Sequence, residues 1–359
     1  MKIILLSLLL LPLLVQSQNR EIEKIVNRID FEEDTVKAVF DWITNNISYD
    51  VSLLKKIKLN GIENVKLNQN KESRISNVLK NKRGVCQHYS ELFDEIMTHL
   101  GYQSVVIAGY TRSPITQKLN SVGHAWNSVK TDNKWILLDA TWGAGYVTNK
   151  NVFEKRYKSE YYNMNPTEAI FSHIPYDPLW QLLEQQVSYT SFEKQTIDKK
   201  NLRTITNYKE IEKYLQLNEI DQKKEALSRS KEMGKPNALV QRWQDIKIQN
   251  INVDYRNSMV KVYNNAAEIM RNATTKFNDY VHAKNNKFRS SKWTKKTTKA
   301  YMTALLEDAE RANQQFLSIK DNDPTMSSDL TATLKNSTSF VKLVNKELYF
   351  IDNQWSKSK

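Results

Sequence analysis

Glycine and charge are distributed unevenly along this chain, and the unevenness predicts two architectures. Seven of the eight glycines lie within the first 145 residues, and only Gly234 follows them. Residues 19–190 carry 21 basic and 20 acidic side chains, whereas the chain from residue 191 onward carries 31 and 20, a net charge of +11. Because glycine marks turns and its absence favours long helices, we predict a mixed domain over residues 18–190 and a basic helical domain over residues 191–359.

The N-terminus has the composition of an export signal. Lys2 supplies a positive charge, residues 3–14 are apolar apart from one serine and one proline, and residues 15–17 end in a small side chain. The apolar run is shorter than the ~20 residues that a membrane-spanning helix needs. We predict a signal peptide over residues 1–17 and a secreted or periplasmic protein with no later transmembrane span. A retained N-terminal anchor is the alternative.

The first domain alternates helical and extended patterns. Apolar residues recur at helical spacing over residues 32–45 and 86–100, and Gly101 follows the second run as a C-terminal cap. Segments rich in β-branched and small apolar side chains predict strands over residues 103–110, 122–130 and 134–141. A helix followed by an antiparallel meander is an α+β arrangement, in which the 86–100 helix packs on the sheet.

The second half is predicted to form packed helical hairpins, an all-α region. Residues 253–319 contain few helix breakers, and residues 328–350 repeat apolar side chains at helical spacing. Residues 284–299 carry seven basic and no acidic side chains, which indicates a hairpin loop or an exposed helix face. A basic surface suits an acidic envelope polymer or a protein partner, and an ordinary solvated bundle is the simpler interpretation.

Cys86, the only cysteine, has the sequence context of a nucleophile. It begins the 86–100 helix, where free backbone N–H groups and the helix dipole favour negative charge on sulfur. Gly84 allows a tight turn into this helix. The backbone N–H of Cys86 is a natural donor to an oxyanion, and Gln87 and Trp126 are candidates for the second donor or for the substrate groove, with Trp126 the better groove candidate.

A base and its orienting acid follow on the predicted hairpin. A register centred on the turn at residues 131–134 pairs Asn127 with residue 138 and makes His124 and Asp139 diagonal neighbours. We therefore predict that His124 is the general base and acid for the thiol, and that Asp139 fixes its imidazole tautomer.

The remaining histidines suggest no further chemistry. His88 is predicted on the exposed side of its helix, and His173, between two prolines, is predicted to be structural. No histidine pair has zinc-site spacing and no glycine-rich phosphate loop occurs, so we predict no metal and no cofactor. Aromatic residues are sparse among the basic ones, and nucleic acid is not an expected partner.

Three short motifs in this order resemble the core of the transglutaminase-like superfamily of cysteine enzymes. They are Arg-Gly-Val-Cys-Gln at 83–87, Gly-His-Ala-Trp at 123–126 and Leu-Asp-Ala-Thr-Trp at 138–142. Segments 38–50 and 166–183 resemble those that flank this core in the kyphoscoliosis-peptidase-like branch. The resemblance covers about residues 30 to 185, and it implies a papain-like α+β core with a Cys86-His124-Asp139 triad.

The resemblance leaves the reaction open, because the superfamily includes crosslinking enzymes, peptidases, amidases and members without catalysis. We expect an exported thiol enzyme that transfers or hydrolyses the amides of a protein or peptide through a thioester, with hydrolysis or deamidation favoured over crosslinking. The alternative is a non-catalytic binding or scaffold protein of the cell envelope that uses the basic helical half.

Overall fold

The antiparallel meander predicted for the first half is present in the computed structural model. The structure describes residues 21–29, 31, 34–60, 70–132, 134–319 and 324–358. The sheet has the order β5-β4-β3-β8, with every neighbouring pair antiparallel. Its strands are β3 (Ser104–Thr111), β4 (His124–Thr131), β5 (Lys134–Leu138) and β8 (His173–Pro175).

The register between β4 and β5 agrees with the sequence-based expectation, since Asn127 pairs with Leu138 and Thr131 with Lys134. β5 ends earlier than predicted, because the Asp139 side chain caps the short helix α5 (Ala140–Ala144). β8 was not predicted. It pairs with β3, so that Thr111 lies opposite His173 and residues distant in sequence meet beside the meander.

The helix that carries Cys86 packs on one face of this sheet. This helix, α4 (Cys86–His99), buries the apolar stripe that its sequence predicted, and Gly101 follows it with a positive φ of 84°. The stripe shares a core cluster with Val129 of β4 and Leu138 of β5. Five fully buried side chains of α4 form the helix side of this core: Tyr89, Leu92, Phe93, Ile96 and Met97. The predicted α+β arrangement, in which this helix packs on an antiparallel sheet, is thereby confirmed.

Short elements frame the N-terminal end of α4. A two-residue parallel pair joins β1 (Ser48–Tyr49) to β2 (Arg83–Gly84), and places Tyr49 opposite Gly84. The remaining elements of this part are α1 (Thr35–Asn46), α2 (Val51–Asn60), α3 (Lys71–Asn81), β6 (Gly145–Val147), β7 (Phe153–Lys155) and α6 (Pro166–Ala169).

The division between the two compact units falls at residues 248/249, so the boundary predicted at 190/191 is too early. Residues 191–248 belong to the first unit because their apolar and charged side chains pack on it. Ile211 is buried in one core cluster with Trp180, and a second cluster joins Val240 to Tyr189. This part contains α7 (Tyr189–Lys194), α8 (Lys209–Gln216) and α9 (Glu219–Glu232). The predicted signal peptide, residues 1–17, lies outside the described residues.

The second unit, residues 249–359, is all helical in the part that the structure describes, as predicted. It contains most of α10 (Ala238–Asn285), together with α11 (Lys295–Ser318) and α12 (Pro324–Gln354). The basic run at 284–299 spans the connection between α10 and α11. No described helix combines the length and the apolar character that crossing a membrane requires. The core of this unit is formed by Ala266, Ala273, Tyr280, Leu305, Ala309, Ala312, Phe316 and Val344.

Candidate active site

Cys86 occupies the first position of α4 and is partly accessible to solvent. The chain approaches it through β2, where Gly84 packs tightly against the helix. A Cβ atom on Gly84 would lie 2.6 Å from the Cβ of His88, a distance that real side chains do not adopt. Gly84 is therefore needed for this close approach, whereas the sequence analysis assigned it to a tight turn.

His124 and Asp139 meet as the hairpin register predicted. His124 begins β4, Asp139 directly follows β5, and the His124 Nε2 lies 2.7 Å from the Asp139 Oδ2. The Cys86 side chain lies close enough to the same imidazole to raise its pKa. Because Nε2 faces Asp139, Nδ1 is the ring nitrogen that remains for the sulfur. The three predicted residues thus meet at the N-terminus of α4.

Burial and charge shift the pKa values of His124 and Asp139 in opposite directions. Burial alone would lower the pKa of His124, but the charge and hydrogen bond of Asp139, together with Cys86, raise it well above its ordinary value. Burial alone would raise the pKa of Asp139, but the His124 charge and the hydrogen bonds of both neighbouring histidines hold it well below its usual range. An ionised carboxylate beside a protonated imidazole is the state that this environment favours.

The Asp139 carboxylate is fully buried and has four hydrogen-bond donors. Its Oδ1 accepts the backbone N–H groups of Thr141 at 2.8 Å and Trp142 at 3.0 Å. Its Oδ2 accepts from His124 and, at 3.1 Å, from the Nε2 of His173. Four donors match the acceptor capacity of a carboxylate, and this saturation offsets the cost of burying its charge.

The place of His173 in this site was not predicted. His173 was expected to be structural, and its separation of 34 positions from Asp139 carries no spacing signal. The contact arises because β8 adds to the sheet beside β3, which brings His173 to the buried side of Asp139. Only the pairing of β8 could have revealed it.

Of the two candidates for groove and oxyanion roles, Trp126 is placed differently from the prediction, and Gln87 is bound to a residue of its own helix. Trp126 is 1% exposed and packs edge-to-face against His173, with ring centroids 5.2 Å apart, so it supports the site from behind and lines no groove. Trp142 is partly exposed, and its ring lies 4.4 Å from that of His173. The Gln87 amide donates to Glu91 at 2.7 Å, because residues four apart are neighbours on a helix.

His88 is buried, which corrects the prediction that it lies on the exposed side of α4. Its Nδ1 accepts the backbone N–H of Val85 at 3.1 Å, so the side chain caps the start of the helix. Burial lowers the pKa of His88 and keeps the ring neutral for this role.

Two tyrosines that the sequence analysis did not select approach Cys86. Burial and then the charge of Cys86 raise the pKa of Tyr49 well above its usual value. Burial and then the charge of Cys86 also raise the pKa of Tyr176. The Tyr176 hydroxyl lies 3.0 Å from where a Cβ on Gly123 would be, so a side chain there would crowd it.

Metal binding was not predicted, and one set among the described residues has suitable donors. One ligand atom each from His124, Asp139 and His173 lies within 4.8 Å of the other two. Both Nε2 atoms point at the same oxygen, at 2.7 and 3.1 Å, so a metal would have to displace both hydrogen bonds. The arrangement fits a proton-carrying network better than a metal centre.

The part of the chain that contains this site is similar to known proteins. Residues 22–140 match the family model of the transglutaminase-like superfamily. The chain is 27% identical to the mouse kyphoscoliosis peptidase over 180 residues, which are 49% of this chain and 26% of that protein. It is 28% identical to the human kyphoscoliosis peptidase over 165 residues, which are 45% of this chain and 23% of that protein. The chain thus spans about a quarter of the length of these curated relatives.

Among solved structures, a TGase crystal structure aligns with 23% identity and a TM-score of 0.30, over 41% of this chain and 36% of that one. An arylamine N-acetyltransferase C from Bacillus anthracis aligns with 19% identity and a TM-score of 0.28, over 35% and 49%. The family match and the curated relatives show that the chain contains a domain of the transglutaminase-like superfamily. Within that superfamily, the domain is similar to the kyphoscoliosis peptidases.

Proposed function

We propose that this protein is a thiol enzyme that cleaves or transfers amides of proteins or peptides, with Cys86 as nucleophile. The observation that carries the proposal is the meeting of three side chains at a helix N-terminus: Asp139 is hydrogen-bonded to His124, and Cys86 lies beside the same imidazole. A thiol with a base in reach, and an acid that orients the base, is the constellation that nucleophilic catalysis requires.

In the proposed reaction the Cys86 proton has already passed to Nδ1 of His124, and the resulting thiolate, beside the protonated imidazole, attacks the amide carbonyl. The C–N bond then breaks, the leaving amine takes the proton from His124, and a thioester remains on Cys86. Water gives a proton to the neutral His124 as it attacks the thioester, so that the carboxylic acid product leaves and the thiolate and protonated imidazole are restored. An amine in place of water would give a new amide. Asp139 holds the imidazole and remains ionised throughout.

The choice of acceptor decides the activity. We favour water, hence a peptidase or deamidase, on the basis of the similarity of the domain to the kyphoscoliosis peptidases. The backbone N–H of Cys86 is the proposed first oxyanion donor, because it lies at the free end of α4.

We further propose that the protein is exported, on the basis of the composition of residues 1–17. The N-terminal sequence of the protein recovered outside its producing cells would test this.

Mass spectrometry tests the proposal directly. The full chain is incubated with a peptide mixture and a primary amine, and cleavage, deamidation and amine adducts are distinguished by mass. Cys86→Ala should abolish every product, while the matched substitution Ser90→Ala on the same helix should not. Undiminished product formation by the Cys86→Ala protein would refute the proposal. A wild-type protein without products and without iodoacetamide-reactive Cys86 would favour the binding-protein alternative.

A further inference from the structure

His173 and His124 contact the same oxygen of Asp139, and the proposed reaction assigns no role to His173. The two Nε2 atoms lie 2.7 Å and 3.1 Å from the same Oδ2. We propose that His173 is a positioning residue, which acts through Asp139 to fix the direction of the carboxylate and thereby the imidazole of His124. The inference rests on the proposed thiol reaction and deepens it by adding a fourth member to the site.

The hydrogen bonds of His173 define its tautomer. Its Nε2 faces an ionised carboxylate, which can only accept, so Nε2 must carry a proton. Its Nδ1 lies 2.7 Å from the Ser172 Oγ, whereas the carbonyl of Ala169 is 3.3 Å from that hydroxyl. We assign the Ser172 proton to the shorter contact, so Ser172 donates to Nδ1, and a directed chain runs from Ser172 through His173 to Asp139.

The surroundings of His173 keep it a neutral donor. Burial lowers the pKa of His173; the hydrogen bond and charge of Asp139 oppose this effect, and the charge of His124 adds to it. Tyr161 is the other titratable side chain close to it, with ring centroids 6.4 Å apart. A neutral His173 can hydrogen-bond the Asp139 carboxylate without adding a second positive charge. The negative charge of Asp139 then remains to balance the protonated His124.

Two tryptophans fix the ring of His173 in place. Trp142 packs on it at 4.4 Å between ring centroids, and Trp126 meets it edge-to-face at 5.2 Å. The His173 side chain is almost completely buried. With two backbone donors on Oδ1 and this fixed donor on Oδ2, the carboxylate has one orientation in which it can also receive His124.

The test compares two substitutions of nearly equal size. Gln at position 173 keeps an N–H donor at the approximate place of Nε2, whereas Met fills the space without a donor. His173→Gln, His173→Met and the exposed control His99→Gln are prepared in the full chain. Each variant is assayed for kcat and KM, for the iodoacetamide rate of Cys86 as a function of pH, and for the low-field proton resonance of the His124–Asp139 hydrogen bond.

We expect His173→Met to lower kcat by up to about 100-fold, because misplacing a reacting group by about 1 Å has a cost of this order, with KM unchanged. The same variant should weaken or shift the low-field resonance, while His173→Gln retains most of the rate and His99→Gln matches wild type. Wild-type kcat and resonance in a folded His173→Met protein would overturn the inference. Equal losses of kcat in the His173→Gln and His173→Met proteins would also overturn the inference, because the lost packing of the imidazole ring would then explain both.

Ser172→Ala keeps the test decisive if His173→Met does not fold. It leaves the imidazole in place but removes the donor to Nδ1, so the ring is free to take the other tautomer, and a smaller fall in kcat is expected; an unchanged kcat would overturn the inference. If no substrate is turned over, the proposed function fails. The resonance and the alkylation profiles of the folded variants still decide the role of His173.

Discussion

The side-chain amide of Asn127 on β4 donates to the backbone carbonyl of Ser90 on α4 at 3.0 Å. This buried hydrogen bond joins the strand that begins with His124 to the helix that begins with Cys86. The same amide nitrogen also reaches the Val105 carbonyl at 3.3 Å on the neighbouring strand. The separation between base and thiol therefore depends on a side chain that touches neither of them.

Asn127→Ala should lower the free energy of unfolding by about 0.5–1.5 kcal/mol, because it removes the buried hydrogen bond between β4 and α4. It should also slow the reaction of Cys86, since a small displacement of reacting groups is costly. The measurements are urea denaturation and the iodoacetamide rate. Ser128→Ala is the matched control: its hydroxyl bonds the Ile136 carbonyl on β5, so it should destabilise without slowing alkylation. Equal effects of both variants on alkylation would contradict the assignment.

The His124–Asp139 pair should make stability depend on pH in a defined window. The lowered pKa of Asp139 stabilises the fold above the ~3.9 of an unfolded aspartate, and this contribution is lost as pH falls through the folded value. The raised pKa of His124 stabilises the fold fully below ~6.5, and its contribution is lost as pH rises through the folded value. Both contributions are complete only between about pH 4 and 6.5.

Asp139→Asn isolates this effect, because asparagine keeps an oxygen for the two backbone donors of α5. The difference in unfolding free energy between wild type and this variant should be largest between about pH 4 and 6.5 and should shrink as the pH rises further. Urea denaturation from pH 4 to 9 measures it. A difference that stays constant over this range would show that the pair is not charged in the folded protein.

Gly84 and Gly101 should respond differently to alanine. Gly84→Ala places a Cβ 2.6 Å from that of His88 and should displace the start of α4, with a loss of about 1–3 kcal/mol and slower alkylation of Cys86. Gly101→Ala meets nothing within 4 Å but forces a left-handed φ on alanine. It should cost about 1–2 kcal/mol and leave alkylation unchanged. The reverse pattern of alkylation rates would refute this account of Gly84.

Arg229 should be important for stability although it lies beyond the predicted end of the first domain. Its guanidinium binds Asp177 through two contacts of 2.8 Å and lies over the Tyr214 ring. Arg229→Met should cost about 1.5–3 kcal/mol, because it leaves a mostly buried carboxylate without its charged partner. Lys199→Met, which removes an exposed ion pair with Glu168, should change stability by less than about 1 kcal/mol. Thermal unfolding compares them, and equal small effects would contradict the packing described for residues 191–248.

Local patterns predicted the parts of the site that depend on local structure. Periodicity placed Cys86 at a helix start, and the hairpin turn fixed which residues of β4 and β5 meet. The sequence did not reveal that β4 is covered on both faces, and for this reason Trp126 was assigned to a groove although it is buried. His173 and the boundary at 248 depend on pairing and packing between distant segments, for which neither spacing nor composition carries a signal.

The Asp139 side chain has two roles. One oxygen accepts the backbone N–H groups at the start of α5, and the other accepts hydrogen bonds from two imidazoles. A homologue that has lost the activity would still need an oxygen-bearing side chain at this position to cap α5. Among the described residues, the Cys86 side chain makes no comparable contribution to the stability of the fold. Among homologues, retention of the aspartate is therefore poor proof of an active enzyme, and replacement of the thiol should be the earliest visible sign that activity has been lost.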